Sequence, residues 1–457
     1  LMKRAGFPPS FAAGVVASAT TGGQLTPPIM GAGAGVVASY TNIPYETIIA
    51  VSVLPALLYF SSVAFFVRIE ARRLGLGVVA DAEATPLSQA IRESGASFLI
   101  PITLMIGLLV AGFSPPYAAV AGVLAIIVSS RLTRTPMGLR AIWEALVMGG
   151  RNMALMAVLL CAVGLIVNAI VKAGVGNTFS LMIEVWAQGD LLIAILLVAI
   201  ASLVLGMGLP VTAAYIVLAT LSAPALAGMI GDAAVAARLA AGDLVADPAA
   251  LAVLMLGAPE AALALAAPGA APPSAAEAET LVAGLPFELR SALREQALPV
   301  ATLTAALLSA HMIVFWLSQD SNVTPPVCLA AFTAATIAGS PPMRTGLMSW
   351  KIAKGLYVAP ILFAYTPLLS GDWAAALQVT LFALVGLYAL AAALQGWFEH
   401  PAPLPLRVGA AAAGVACLWP EALALNLLGA AATLALAFGA ARLARAGGGS
   451  DVARPGA

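Results

Sequence analysis

The stretch that most restricts what this chain can become is Ser318-Gln-Asp-Ser-Asn-Val-Thr-Pro-Pro326. It lies inside an apolar run from about Val300 to Ala335, long enough to cross a bilayer, which takes about 20 apolar residues. Yet the middle of the run holds an acid, two amides, three hydroxyls and two prolines. A carboxylate at that depth is costly, so Asp320 needs a partner or an ion. Pro325 and Pro326 bring no N–H, so a helix must break just before them. A break frees backbone carbonyls, which are tolerated at membrane depth only beside protein or a wet cavity. The pattern occurs twice. Thr20-Thr-Gly-Gly-Gln-Leu-Thr-Pro-Pro28 sits inside the apolar run Phe11–Tyr40, with Thr26-Pro27-Pro28 matching Thr324-Pro325-Pro326 and Gln24 standing where Asn322 stands. Two helices broken at matching places point to the ligand site of a secondary transporter. The expectation is that residues 11–40 and 300–335 are each two half-helices and run antiparallel to each other.

Composition supports a bilayer setting. The chain is 61% hydrophobic and 9% charged, where a soluble domain carries about 25% charge. Its net charge of zero argues against a nucleic-acid partner. Cys161, Cys328 and Cys417 have no metal or redox spacing and read as small buried hydrophobes. His311 and His400 are the two histidines, and no Gly-Lys-Ser/Thr phosphate loop is present, which argues against a metal enzyme and against ATP-driven pumping.

Taken in order, the chain divides as follows. Residues 1–67 form a first transport segment with the broken helix 11–40 and a span Thr47–Val67. Residues 68–151 hold charged loops, with Arg68, Arg72, Arg73 and Arg92 in one and Arg131, Arg134, Arg140 and Arg151 in the next, around a helical hairpin at Ser114-Pro-Pro116. Positive-inside logic places both loops in the cytoplasm, and Arg140–Arg151 reads as an interfacial helix. Residues 152–224 hold spans Asn152–Val171 and Asp190–Leu205, then Gly206-Met-Gly-Leu-Pro-Val-Thr212, which turns Asp190–Leu221 into a re-entrant hairpin. Residues 225–298 are Ala-rich, with eight acids against three arginines, and read as a dispensable extramembrane insertion whose Pro/Ala stretch Ala267–Ser274 stays extended. Residues 299–371 hold the second broken helix, a cytoplasmic loop through Gly339–Lys354 and the span Ile352–Leu369. Residues 372–445 supply spans Trp373–Leu394, Leu404–Trp419 and Ala422–Ala441, and residues 446–457 a flexible tail. Trp143, Trp186, Trp350, Trp373 and Trp419 fall near span ends, as belt residues do. One count stays open: an outward-facing hairpin needs an odd number of crossings after the second arginine loop, and Gly174–Gly189 is a poor span.

Thr21-Gly-Gly-Gln-Leu-Thr-Pro-Pro-Ile-Met-Gly31, Leu205-Gly-Met-Gly-Leu-Pro-Val-Thr-Ala-Ala-Tyr215 and Ser321-Asn-Val-Thr-Pro-Pro-Val-Cys-Leu-Ala-Ala331 resemble the large membrane subunit of TRAP (tripartite ATP-independent periplasmic) transporters, most of all the fused permease of the TAXI branch. The resemblance covers about Leu1–Pro224 and Val300–Leu369. It implies an all-α polytopic protein of the bacterial inner membrane, with inverted repeats and an elevator-type fold. It implies cation-coupled uptake of a small organic acid delivered by a periplasmic substrate-binding protein. It also implies a first hairpin and a small-subunit-like domain ahead of Leu1, and Ala225–Leu298 is longer than the link the family would place there.

These residues define an expected site. Na⁺, with H⁺ as the other coupling ion, prefers hard oxygen ligands, which the two breaks offer as carbonyls, hydroxyls and a carboxylate. The set is Gly22, Gly23, Gln24, Thr26 and Pro27 at the first break, Asp320, Ser321, Asn322, Thr324 and Pro325 at the second, and Gly206 and Gly208 at the hairpin. Gln24, Asn322, Pro210 and Thr212 are the expected substrate contacts. Each has a plainer reading. The Thr-Pro-Pro pairs can be kinks, Asp320 a helix cap, Gln24 and Asn322 inter-helix hydrogen bonds, and Arg344 a snorkelling anchor. A channel would also use broken helices, but it should show a continuous polar stripe, and none is found. A membrane enzyme would need more than Asp320 and two distant histidines.

Overall fold

The computed structural model describes residues 1–446 except residues 29, 77–86, 134–135, 245–246, 268, 399 and 421. Residues 77–86 of the first arginine loop and residues 447–457 of the tail therefore lie outside the described residues, while Arg68, Arg72 and Arg73 belong to a helix ending at Arg73 and Arg92 to one beginning at Leu87. The described residues form α1 Pro9–Gly22, α2 Ala32–Thr41, α3 Tyr45–Arg73, α4 Leu87–Val110, α5 Pro115–Ser129, α6 Leu139–Lys172, α7 Val175–Ala187, α8 Leu191–Gly206 and α9 Val211–Ala240. They continue with α10 Pro248–Gly257, α11 Pro259–Ala266, α12 Ala275–Ala283, α13 Phe287–Ala297, α14 Val300–Leu317, α15 Asp320–Val323 and α16 Leu329–Ala338. The last five are α17 Pro342–Ile352, α18 Gly355–Tyr365, α19 Trp373–Gln395, α20 Leu404–Leu418 and α21 Leu423–Ala446.

Among the described residues, eight helical stretches are long and apolar enough to cross a membrane. Large apolar side chains face outward on several of them, among them Val120, Met153, Leu165 and Leu428, each more than 60% exposed. A helix apolar on its outer face needs lipid around it. The protein is an all-α, multi-pass membrane protein.

Both apolar runs that carry Thr-Pro-Pro are broken. The first is α1 and α2 with residues 23–31 between them; the second is α14, the single turn α15, and α16. The peptide bonds Pro27–Pro28 and Pro325–Pro326 are both cis. The two runs lie antiparallel. Lys3, just ahead of α1, donates to the Ala338 carbonyl at the end of α16. Ala13 and Ala17 of α1 pack with Ala331 and Ala334 of α16. On the other halves, Gly33 at the start of α2 abuts Phe315 near the end of α14, and the Tyr40 ring at the end of α2 lies 6.0 Å from that of His311, further back along α14.

Several elements differ from the sequence reading. Arg140–Arg151 is no separate interfacial helix. It is the start of α6, which runs 34 residues because no proline interrupts it. At 1.5 Å per residue that is about 51 Å, longer than a hydrocarbon core of about 30 Å. The hairpin forms from α8 and α9, but its second arm does not end near Leu221. It continues through Pro224 to Ala240. In the turns before the proline, Ser180 of α7 donates to the Leu221 carbonyl and Ser222 to that of Leu218. The stretch Gly174–Gly189 becomes α7, which runs beside α9 in the same direction: Gly176 lies against the Thr220 carbonyl, and Glu184 and Asp232 share the Arg290 guanidinium. With α8 the inbound arm of a hairpin, the helices between the second arginine loop and the hairpin base are α6 and α7, two where the sequence count asks for an odd number.

The acidic stretch is the largest difference. Residues 225–240 belong to α9, and Ala225, Leu226 and Met229 sit in the main core. The remainder folds as α10–α13 around a second apolar core of Leu244, Leu254, Leu265, Val282 and Leu293, closed by Val235 and Leu239 of α9. Asp247 caps α10, and Ser274 and Glu277 form a reciprocal cap on α12. Hydrogen bonds from the Ser274 backbone and hydroxyl hold the Glu277 carboxyl below the usual carboxylate range. The stretch Ala267–Ser274 is not extended throughout: the Ala270 N–H donates to the Ala267 carbonyl at 3.0 Å to make a turn with Gly269 at φ 80°, and residues 271–274 carry no regular structure. Finally, Pro342–Ile352 is no loop. It is α17, whose small face of Thr345, Gly346 and Ser349 is buried, while Arg344 on its other side is exposed. Ser349 meets Ser18 of α1, and α17 leads directly into α18.

Candidate functional site at the second break

The two breaks share a sequence pattern but not a chemistry. At the first, the backbone and hydroxyl close on themselves. Thr26 Oγ1 donates to the Gly22 carbonyl at 2.6 Å, Gly31 N to Gln24 O at 2.7 Å, and Met30 N to Thr26 O at 3.0 Å. Gly22 is a packing residue: a side chain there would meet the Tyr59 ring at 2.5 Å, and Tyr59 in turn donates to the Ser18 carbonyl. Gln24, Thr26 and Pro27 are half-buried and Gly23 is exposed.

At the second break a charge is buried. Asp320 is 2% exposed. It does not cap a helix end; the residue ahead of α15 is Gln319, and Asp320 lies within the turn. Its Oδ1 accepts from Thr324 Oγ1 at 3.4 Å, and Thr324 Oγ1 shares a hydrogen bond with Tyr357 Oη at 2.7 Å. Tyr357 also reaches the Asp320 carboxylate, and the Lys354 ammonium lies within electrostatic reach of it. Lys354 Nζ rests 3.3 Å from the Trp350 ring centroid, a cation–π seat that holds the ammonium in an apolar setting. Sequence reading placed Lys354 in a cytoplasmic loop and did not connect it, or Tyr357, with Asp320. Both come from an element some 30 residues on, and no local signal joins them.

Gln319 was also not singled out. It is fully buried, and neither its amide oxygen nor its amide nitrogen has a hydrogen-bond partner; three residues earlier, the Trp316 indole N–H is in the same position. An orphaned buried amide costs about 1–3 kcal/mol, so a protein that keeps one is expected to satisfy it with something else.

The hairpin tip closes on this break. A Cβ at Gly206 would stand 3.0 Å from Ser321 Cβ, so the missing side chain permits the contact. Gly208 has open space around it, and Pro210 is exposed while Thr212 is half-buried. Of the residues expected from sequence, the fold thus gathers Gly206, Asp320, Ser321 and Thr324. Asn322 and Pro325 are half-buried beside them, and Pro325 packs on Gly346 of α17. Gln24, Thr26 and Pro27 belong to the other break. The contact between α1 and α15 brings the end of α1 to the second break. His311 does not approach a nucleophile: its Nδ1 shares a 2.9 Å hydrogen bond with Tyr215 of α9.

An antiparallel pair of broken helices, met at one break by a helical hairpin, defines a multi-pass membrane protein whose spans are interrupted partway. Residues 1–369 match the family described as Tripartite ATP-independent periplasmic transporter, DctM component, and the chain belongs to that family. It is therefore a TRAP transporter membrane component, and large subunits of this kind work with a periplasmic binding protein and a small subunit. No curated protein and no solved structure matches the chain.

Proposed function

We propose that this subunit couples the entry of a cation, Na⁺ in the first instance, to uptake of a small organic acid handed over by a periplasmic binding protein, across the bacterial inner membrane. The observation that carries the reading is the buried Asp320 carboxylate, surrounded by the Thr324 and Tyr357 hydroxyls and reached by the hairpin tip through Gly206. Carboxylate, hydroxyls and freed carbonyls are the oxygen donors a hard monovalent cation takes. The cation would occupy the second break, held by Asp320, Thr324 and Ser321. Gln319 and Asn322 would face the solute, and Lys354 would balance charge as the cation comes and goes. The sequence motifs are closest to the TAXI branch. Family membership favours transport over a channel or an enzyme.

The test is uptake of organic acids into proteoliposomes carrying the subunits and the cognate binding protein. Uptake should need an inward Na⁺ gradient and fall to background in Asp320→Asn. Uptake that ignores Na⁺ but follows a proton gradient would move the coupling to H⁺ at the same carboxylate. Uptake indifferent to both gradients would end the proposal.

A further inference from the structure

The Lys354 ammonium is seated on rings. It rests 3.3 Å from the Trp350 ring centroid and 5.1 Å from that of Tyr357, and it makes no hydrogen bond or ion pair with a described residue. An ammonium carries three donors and is strongly hydrated, so a seat without an oxygen acceptor leaves it free to take one. The acid within its electrostatic reach is Asp320. Glu70, the other buried acid near this helix pair, bridges Arg73 at 3.3 Å and acts on Lys351, which donates to Gln395.

The backbone of Lys354 is fixed and its side chain is not. Its carbonyl accepts from the Tyr357 and Val358 N–H groups at 3.1 and 3.2 Å, which starts α18. Beyond Cα, Lys354 and Tyr357 both line a cavity of about 340 Å³ whose other walls are mainly apolar, so a four-carbon stem has room to turn. Tyr357 joins the two places the ammonium can occupy. Its ring is one side of the seat, while its hydroxyl shares the 2.7 Å hydrogen bond with Thr324 and reaches Asp320.

We propose that Lys354 is a tethered stand-in for the coupling cation: it pairs with Asp320 when the second break is empty and withdraws to the Trp350–Tyr357 seat when a cation takes the carboxylate. The proposal rests on the reading of Asp320 as the cation's ligand. A bare carboxylate at membrane depth is costly and would hold back the empty site from reopening to the other side. The lysine removes that cost, and the aromatic seat keeps the displaced ammonium stable beside the incoming cation. Lys354 stays charged in both places, and no proton moves. It therefore weakens cation binding and speeds the return of the empty site.

The test titrates the melting temperature of the full chain in detergent with Na⁺, choline holding ionic strength constant, and repeats the titration as uptake in proteoliposomes with the binding protein. Lys354→Gln removes the competitor and should lower the half-saturating Na⁺ about fivefold, the factor expected if Lys354 holds Asp320 for about four-fifths of the time. Trp350→Leu removes the seat, leaves the lysine on Asp320, and should raise it. Loosening of the α17–α18 junction would move both variants the same way, so the opposite signs carry the test. Maximal uptake should fall severalfold in Lys354→Gln despite its tighter Na⁺ binding, and Lys354→Arg should restore part of it. Wild-type protein indifferent to Na⁺ in both measurements ends the cation reading and this proposal together. A Na⁺-dependent wild type with half-saturating Na⁺ unchanged in either variant, or shifted the same way in both, overturns the tethered cation alone.

Discussion

At the scale of single residues, the second break is asymmetric with the first because of what stands four positions before each Thr. Gly22 lets Tyr59 close over the first break, and Asp320 puts a charge into the second. Thr26 spends its hydroxyl on its own helix, while Thr324 turns its hydroxyl to Asp320 and Tyr357. Thr324→Ala should therefore raise the Na⁺ concentration for half-maximal uptake about tenfold, equivalent to about 1.4 kcal/mol, and Thr26→Ala should leave it near wild type. Equal effects of the two substitutions on the Na⁺ titration would contradict the asymmetry. Gln319→Leu offers a different readout. Removing an orphaned amide from a fully buried site should raise the melting temperature or leave it unchanged, with a gain of up to about 3 kcal/mol, while uptake falls. A melting temperature that drops steeply would show that Gln319 is paired within the protein instead.

At the scale of elements, the hairpin tip tests how closely two backbones must approach. Gly206→Val would force atoms against Ser321 and should cost about 1–3 kcal/mol of that packing, with uptake lost before stability. Gly208→Ala meets open space and should transport as wild type. The comparison of the two in one uptake assay separates a close contact from a general need for glycine at the tip. The tryptophans Trp143, Trp186, Trp350, Trp373 and Trp419 are each at least 40% exposed, as side chains at membrane interfaces are.

At the scale of the whole molecule, the acidic four-helix unit is a built part of the fold. Arg290 bridges Glu184 of α7 at 2.7 Å and Asp232 of α9 at 3.1 Å, and Arg294 adds a 2.6 Å contact to Asp232. These groups are largely buried, and a buried acid left without its partner costs about 3–5 kcal/mol. Replacing residues 241–298 with a short Gly/Ser linker is geometrically easy, since Arg238 of α9 already touches the Ala297 carbonyl. The excision should nonetheless lower the melting temperature of the membrane core, because Glu184, Asp232, Val235 and Leu239 lose their cover. Adding Glu184→Gln and Asp232→Asn should restore part of the loss. A core that melts at the wild-type temperature after excision alone would return the unit to the status of a dispensable insertion. Its exposed face carries Asp243, Glu260, Glu277, Glu279, Glu288 and Glu295, while its three arginines all bind inward or to their own unit, which explains why its net charge of −5 is displayed outward.

What the sequence determined by itself was local and one-dimensional. Apolar run lengths set the spanning helices, prolines set the breaks, and the repeated Thr-Pro-Pro set the pairing of two runs. A buried acid in an apolar run announced that a partner existed. The identity of that partner was a tertiary decision, because Tyr357 and Lys354 reach Asp320 only once α17 folds as a helix against α1 and delivers α18 to the break. The same holds for α17 itself, whose two basic residues, Arg344 and Lys351, read as a loop until its small face found α1 to pack on. It holds for α9, whose turns beside Pro224 pack on α7, where Ser180 donates to the Leu221 carbonyl across 41 residues of sequence. Composition could separate residues 225–298 from their flanks, but the arginines that fix them to the core find their acids 58 to 106 residues away, a distance in sequence that only folding closes.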